Sequence, residues 1–235
     1  MRFWNWIRDA TTGARTLRLD GAISDETWLG DEVTPAQFRA ELNSGEGDVT
    51  VWLNSPGGDC FAATEIYNML KEYGNSKGLV TVKIDALAAS AASVVAMAGD
   101  VVEISPCGQM FLHNPECGVA GNASELESAI RMLREVKESI LNAYQIKTKL
   151  PRAKISELMD AATWLNAQKA IELGFADKIL YTDAATSPPM AKMFSVMQIT
   201  ASLAKAFQAE RKKAAEDSGV DAQIFRRRLK ILQGE

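Results

Sequence analysis

An α/β fold, a sheet joined by helical crossovers, is the class this sequence predicts, and three observations predict it. Short β-branched and apolar runs recur along the chain at 49–53, 79–84 and 101–104. Between them lie segments with apolar residues at helical spacing, such as Ile66, Met69 and Leu70, and strands alternating with helices are the pattern of a sheet with crossovers. The third is composition: 47% hydrophobic and 24% charged residues over 235 positions is globular, and long enough for one sizeable core with an appendage.

The elements follow in order. Period-two alternation predicts a half-buried strand over Arg15–Leu19. Thr34-Pro35 sets a capping hydroxyl before a proline at the first helical position, opening a helix to about Leu42 with Phe38 and Leu42 one turn apart. Val49–Leu53 is a strand ending in the turn Asn54-Ser55-Pro56-Gly57-Gly58, and a helix follows over 61–73. The strand Leu79–Ile84 leads into the small-residue segment Asp85–Gly99, which it enters as a strand and leaves as a helix; Val101–Ile104 and Met110–Leu112 are further strands. Ser124 and Glu127 form a capping box that opens a long helix to Lys149, stopped by Pro151. Its apolar side carries Leu126, Ile130, Leu133, Ile140, Leu141 and Tyr144. Helices over 152–160 and 167–173 come next, and 175–180 closes the body. Residues 182–189 read as a linker; beyond it Met193, Val196, Met197, Ile199, Leu203 and Phe207 suggest an amphipathic helix, and 224–232 are basic and apolar together. The organisation is an N-terminal segment 1–14, a body 15–182 and a helical or flexible tail 183–235.

Charge excludes some functions. The chain carries 26 basic and 30 acidic side chains, and the tail holds 9 of the former against 6 of the latter, so the body is −7 and the tail +3. An acidic body argues against nucleic acid as a partner, because phosphate binding needs a basic face. Three cysteines without a C-x-x-C spacing make no disulfide framework and point to a reducing, intracellular setting. The start lacks a secretion signal's apolar stretch. The longest uncharged run, Ala86–Gly99, is short of the ~20 residues a bilayer needs, so a cytoplasmic chain without a membrane partner is expected. No cofactor and no metal are expected.

Three features could carry chemistry. His113, the one histidine, follows the apolar strand Met110-Phe111-Leu112, where strand exits commonly build sites, and any imidazole base must be this one. Ser90 stands where a strand gives way to a small-residue helix, so its hydroxyl lies near free N–H groups able to hold an oxyanion. Ser93, one turn further on, is a competitor whose hydroxyl would bond the preceding turn. The glycines of Asn54-Ser55-Pro56-Gly57-Gly58 can turn a second N–H outward. Each also has a plain structural reading: a satisfied histidine, tight helix packing, an ordinary turn.

These passages occur in an order that resembles the ClpP-type serine peptidases, and within them the phage-associated head maturation branch. The likeness rests on Gly21–Trp28, Asn54–Gly58, Ala88-Ala89-Ser90 with Ala98-Gly99, Phe111–Pro115, Thr163–Ala167 and Gly174–Asp177, and covers about residues 15–181. It implies a ClpP/crotonase-like fold of repeated β-β-α units with a long handle-type helix. Ser90 is implied as nucleophile, His113 as general base and Asp160 as the orienting acid, with Glu157 an alternative because the segment before Trp164 is about two residues short. The N–H groups of Gly57 and Ala91 are implied as the oxyanion hole, and Gly58, Gly118, Val119 and Ala120 as substrate-binding, the last three in a glycine-rich strand to which an extended peptide adds. The implied protein is a homo-oligomeric ring (a heptamer or stacked rings) cutting scaffold or capsid precursors in a bacterial host, within an assembling procapsid in one version. The short stretch before the first strand argues against an AAA+ unfoldase partner, and the tail could meet a capsid or scaffold protein.

Other readings stay open: a crotonase-like enzyme acting on acyl-CoA, an inactive scaffolding ring, and a Ser–Lys dyad using Lys83. Deleting residues 183–235 is expected to leave the oligomer of the body intact by size measurement; loss of assembly would move the boundary into the tail.

Overall fold

A computed structural model describes residues 7–8, 15–24 and 35–182. The expected cap at Thr34 and every expectation for 183–235 lie outside the described residues. In chain order the elements are β1 (Ile7–Arg8), β2 (Arg15–Ile23), α1 (Pro35–Leu42), β3 (Val49–Gly58), α2 (Cys60–Ser76), β4 (Val80–Ala89) and α3 (Ala91–Ala96). After these come β5 (Val101–Ile104), β6 (Gln109–Leu112), α4 (Ala123–Thr148), α5 (Arg152–Asp160), β7 (Thr163–Asn166), α6 (Ala167–Glu172) and β8 (Lys178–Ile179).

The sheet runs β1-β2-β3-β4-β5-β8, with β6 on β4 and β7 on β6. Its central ladders are parallel, as crossovers require. β4 changes partner along its length. Its first half pairs with β5, from Thr81 opposite Val101 to Ile84 opposite Ile104. Its second half pairs with β6, from Leu87 opposite Gln109 to Ala89 opposite Phe111. A sheet that forks in this way turns the end of β4 and the end of β6 toward one place.

Alternation decides the two faces. Val51, Leu53, Val82, Ile84, Val102 and Ile104 are buried, in one core with Ile66 and Leu70 of α2 and the small α3. Arg18, Trp52, Lys83 and Asp85, of the opposite phase, are half-covered. There Arg18 pairs with Asp20 and Asp85, and Lys83 and Lys178 both pair with the buried Glu103. Arg18 and Lys83 each lie over the Trp52 ring.

The structure extends or moves several expected boundaries. β3 continues through Asn54–Gly58, where a turn is expected, because β2 keeps pairing with it as far as Ile23 opposite Gly58. A side chain at Gly58 would come 2.1 Å from the Ile23 carbonyl oxygen, so that ladder requires glycine. β4 likewise runs on to Ala89. Thr163–Asn166 is a strand, formed by antiparallel pairing with β6. The capping box uses Asn122 and Glu125, not Ser124 and Glu127, so the long helix starts earlier. Only its root is buried, through Leu141, Ala143 and Tyr144; Leu126 and Ile130, expected on an apolar face, are 40% and 49% exposed. No helix among the described residues is long and apolar enough to cross a membrane.

Ser93 fixes that root. Its hydroxyl donates to the Ser90 carbonyl, one turn back as expected, and shares a 2.7 Å bond with the buried Tyr144 hydroxyl. Burial pushes the phenol far above its ordinary pKa, so it stays protonated. Ser93→Ala strands that hydroxyl, and a loss of about 1–3 kcal/mol in denaturant unfolding is expected. The variant should still react at Ser90; an unchanged midpoint would show that the Tyr144 bond contributes nothing.

Candidate active site

Ser90 is the single residue between β4 and α3, with φ 53° and ψ −127°. A non-glycine residue at positive φ costs about 1–3 kcal/mol and persists only where its surroundings hold it there. Here its N–H donates to the Phe111 carbonyl at 2.9 Å, and its own carbonyl accepts from the Ser93 N–H at 3.0 Å. The residue is thus clamped between β6 and the first turn of α3, with its hydroxyl outside both ladders. That bond also continues the β4–β6 register, so the residue just past β6 arrives beside Ser90.

That residue is His113. Its Nε2 lies 2.6 Å from Ser90 Oγ. Burial holds the imidazole below its ordinary pKa, with the nearby Glu116 carboxylate opposing. That favours the neutral ring, which accepts a proton at Nε2 in the tautomer that carries its hydrogen on Nδ1.

At Gly57 the end of β3 closes on the segment that carries Ser90. At φ +95°, a side chain there would come 2.6 Å from the Ala89 carbonyl oxygen, 2.7 Å from Ser90 Cβ and 3.0 Å from the Ala91 nitrogen. Only glycine fits. Its own N–H, however, donates to Ser55 Oγ at 3.1 Å, and Ser55 in turn donates to the Gly21 carbonyl. That corrects the expectation of Gly57 as an oxyanion donor: its amide is already committed to Ser55. Asp59 N–H donates to the Ile23 carbonyl at 2.8 Å, which closes the β2–β3 ladder just past Gly58.

Asp160 does not meet His113. Its carboxylate accepts from Lys137 Nζ at 2.6 Å, Asn114 Nδ2 at 2.8 Å and Ser156 Oγ at 3.2 Å, and its side chain is 56% exposed. The Lys137 bond first, then the Asn114 bond, hold it below the usual carboxylate range. The expected Asp160–His113 bond is thus replaced by one to the residue after His113. Glu157 pairs with Lys154 in solvent. Lys83 is engaged with Glu103 at 3.6 Å rather than with Ser90. Gly118, Val119 and Ala120 are exposed and in no strand, contrary to expectation, and a side chain at Gly118 would meet nothing within 4 Å. Sequence reasoning missed Ser55, Asn114 and Lys137. Ser55 was legible as the residue inside a glycine turn; the other two depend on which helix comes alongside.

The arrangement sets a hydroxyl within hydrogen-bond reach of an imidazole, at the start of a helix. The family model described as Clp protease matches residues 4–183. The chain is similar to the ATP-dependent Clp protease proteolytic subunit 2 of Thermobifida fusca (strain YX), 31% identical over 168 residues, 71% of this chain and 80% of that protein. Subunit 2 of Tropheryma whipplei (strain Twist) is 29% identical over 175 residues, 74% and 94%. The proteolytic subunit of Porphyromonas gingivalis (strain ATCC BAA-308 / W83) is 32% identical over 135 residues, 57% of this chain and 60% of that protein.

A base that must be neutral sets the acid limb of activity. With His113 below its ordinary value, kcat/KM should rise with pH through a midpoint lower than the ~6.5 of a free imidazole. Titration of the imidazole signal by NMR checks this directly; a midpoint above 6.5 would mean that a carboxylate, not burial, governs the ring.

Proposed function

The chain belongs to the Clp protease family, and we propose that it is a serine endopeptidase whose nucleophile is Ser90 and whose general base is His113. The observation that carries this is the 2.6 Å contact between Ser90 Oγ and His113 Nε2. Ser90 Oγ attacks the scissile carbonyl carbon as its proton passes to Nε2. The negative oxygen that forms is met by the N–H groups of Ala91 and Gly58. Collapse breaks the C–N bond, Nε2 returns its proton to the leaving amine, and a water deprotonated by the same nitrogen releases the acyl group from Ser90.

Asp160 enters through Asn114: its bond anchors the segment after His113 and leaves the imidazole itself untouched, a positioning role. Gly58, with the exposed 118–120 stretch, is the proposed peptide cradle, the latter ordering against an extended substrate. The working form is a homo-oligomeric ring, a heptamer or stacked pair, as the family implies. The proposed substrates are scaffold or capsid precursors in phage head assembly; the motif order of the head maturation branch supports this, and a tail of 53 residues beyond position 182 offers a contact for such a partner.

A fluorophosphonate should label Ser90 in peptide mapping. Ser90→Ala should abolish peptide cleavage and labelling, and His113→Ala should lower kcat by about 10²–10⁴. A Ser90→Ala chain that still cleaves would move the nucleophile, and cleavage of co-expressed capsid and scaffold precursors by wild type alone tests the substrate. Acyl-CoA turnover without labelling would favour the crotonase-like reading.

A further inference from the structure

One hydrogen bond fixes a point on a ring and leaves its plane free to turn about that point. In a triad a carboxylate on Nδ1 supplies the second constraint, but here the Asp160 carboxylate is taken by Lys137, Asn114 and Ser156. A different constraint is present. His113 stands two residues after Phe111, one past the end of β6, so the two side chains leave the same face. Their rings are stacked, with centroids 5.2 Å apart and planes within 16°. Across the β6–β7 ladder Phe111 is directly opposite Trp164, whose ring stacks on the phenyl at 4.5 Å and 28°. Both separations are those of favourable offset pairs.

We infer that Phe111, backed by Trp164, sets the plane of the His113 imidazole so that its Nε2 lone pair is directed at Ser90 Oγ. Both are positioning residues, and the assignment rests on the Ser90–His113 reading above. The phenyl limits rotation on one side of the imidazole, and the indole limits the phenyl. The strand pair carries the alignment: a slip in the β6–β7 register would remove Trp164 from Phe111 and unlock the ring.

The test uses the full chain with Phe111→Leu, Phe111→Tyr, Trp164→Leu and Trp164→Phe. Because His113 is the one histidine in the sequence, its ring signals are read by NMR without assignment. The leucine variants should lose about tenfold in kcat with KM within about twofold, since a misdirected base slows proton transfer and not binding. Their imidazole signals should shift as the ring current is lost, while the aromatic variants keep both kcat and signals. Leucine variants with wild-type kcat, or aromatic variants that lose as much as leucine, overturn the inference. If Phe111→Leu does not fold, the pair at 164 makes the same comparison from the outer end of the stack. Labelling of wild-type Ser90 separates the two layers. Labelled wild type with unmoved histidine signals in the leucine variants sinks the stack alone. Unlabelled wild type with moved signals sinks the peptidase reading and keeps the stack.

Discussion

The site hangs on one backbone bond, from the Ser90 N–H to the Phe111 carbonyl at 2.9 Å. It is the last rung of the β4–β6 ladder, and it exists because β4 leaves β5 after Ile84 and takes up β6 from Leu87. With that register, residues 90 and 113 are neighbours although 23 positions separate them. A shift of one residue would turn every β6 side chain to the opposite face and carry the imidazole away from the hydroxyl. The chemistry is therefore specified by strand pairing before any side chain interacts.

The same economy applies to Ser90 itself. A non-glycine residue at positive φ persists only where neighbours over-determine it, and here β6, the first turn of α3 and the bare Cα of Gly57 close on it from three directions. Tyr144 adds depth by tying Ser93, in the same turn, to the root of α4. Strain at Ser90 is balanced by a core of small residues, Ala88, Ala91, Ala92 and Ala96, all buried, which let strand and helix approach closely.

Much of this was legible in sequence because the central strands are covered and read as apolar runs. The Ser90 and His113 positions were legible for the same reason: each stands where a readable element stops. The rest was hidden for identifiable causes. Pro56, Gly57 and Gly58 signal a turn locally, yet pairing with β2 overrides the signal. β7 has four residues and little pattern, and owes its strand form to β6. The capping box expected at Ser124 and Glu127 falls two residues earlier, at Asn122 and Glu125, because the chain enters the helix there. Asp160 shows the sharpest limit. Its position near Trp164 was readable, but the direction of its carboxylate is decided by Lys137, a side chain from another helix.

That last pair gives α4 a mechanical meaning. The helix has 26 residues, about 39 Å at 1.5 Å each, and is buried only around Leu141–Tyr144. It is a lever with its fulcrum near one end, and Lys137 sits about one turn from that fulcrum. A tilt of roughly 5° swings the far tip by some ~2 Å over its ~27 Å free arm, yet moves Lys137 by only a fraction of that. Any displacement of the long exposed arm is thus much reduced where Lys137 meets Asp160, the carboxylate that accepts from Asn114.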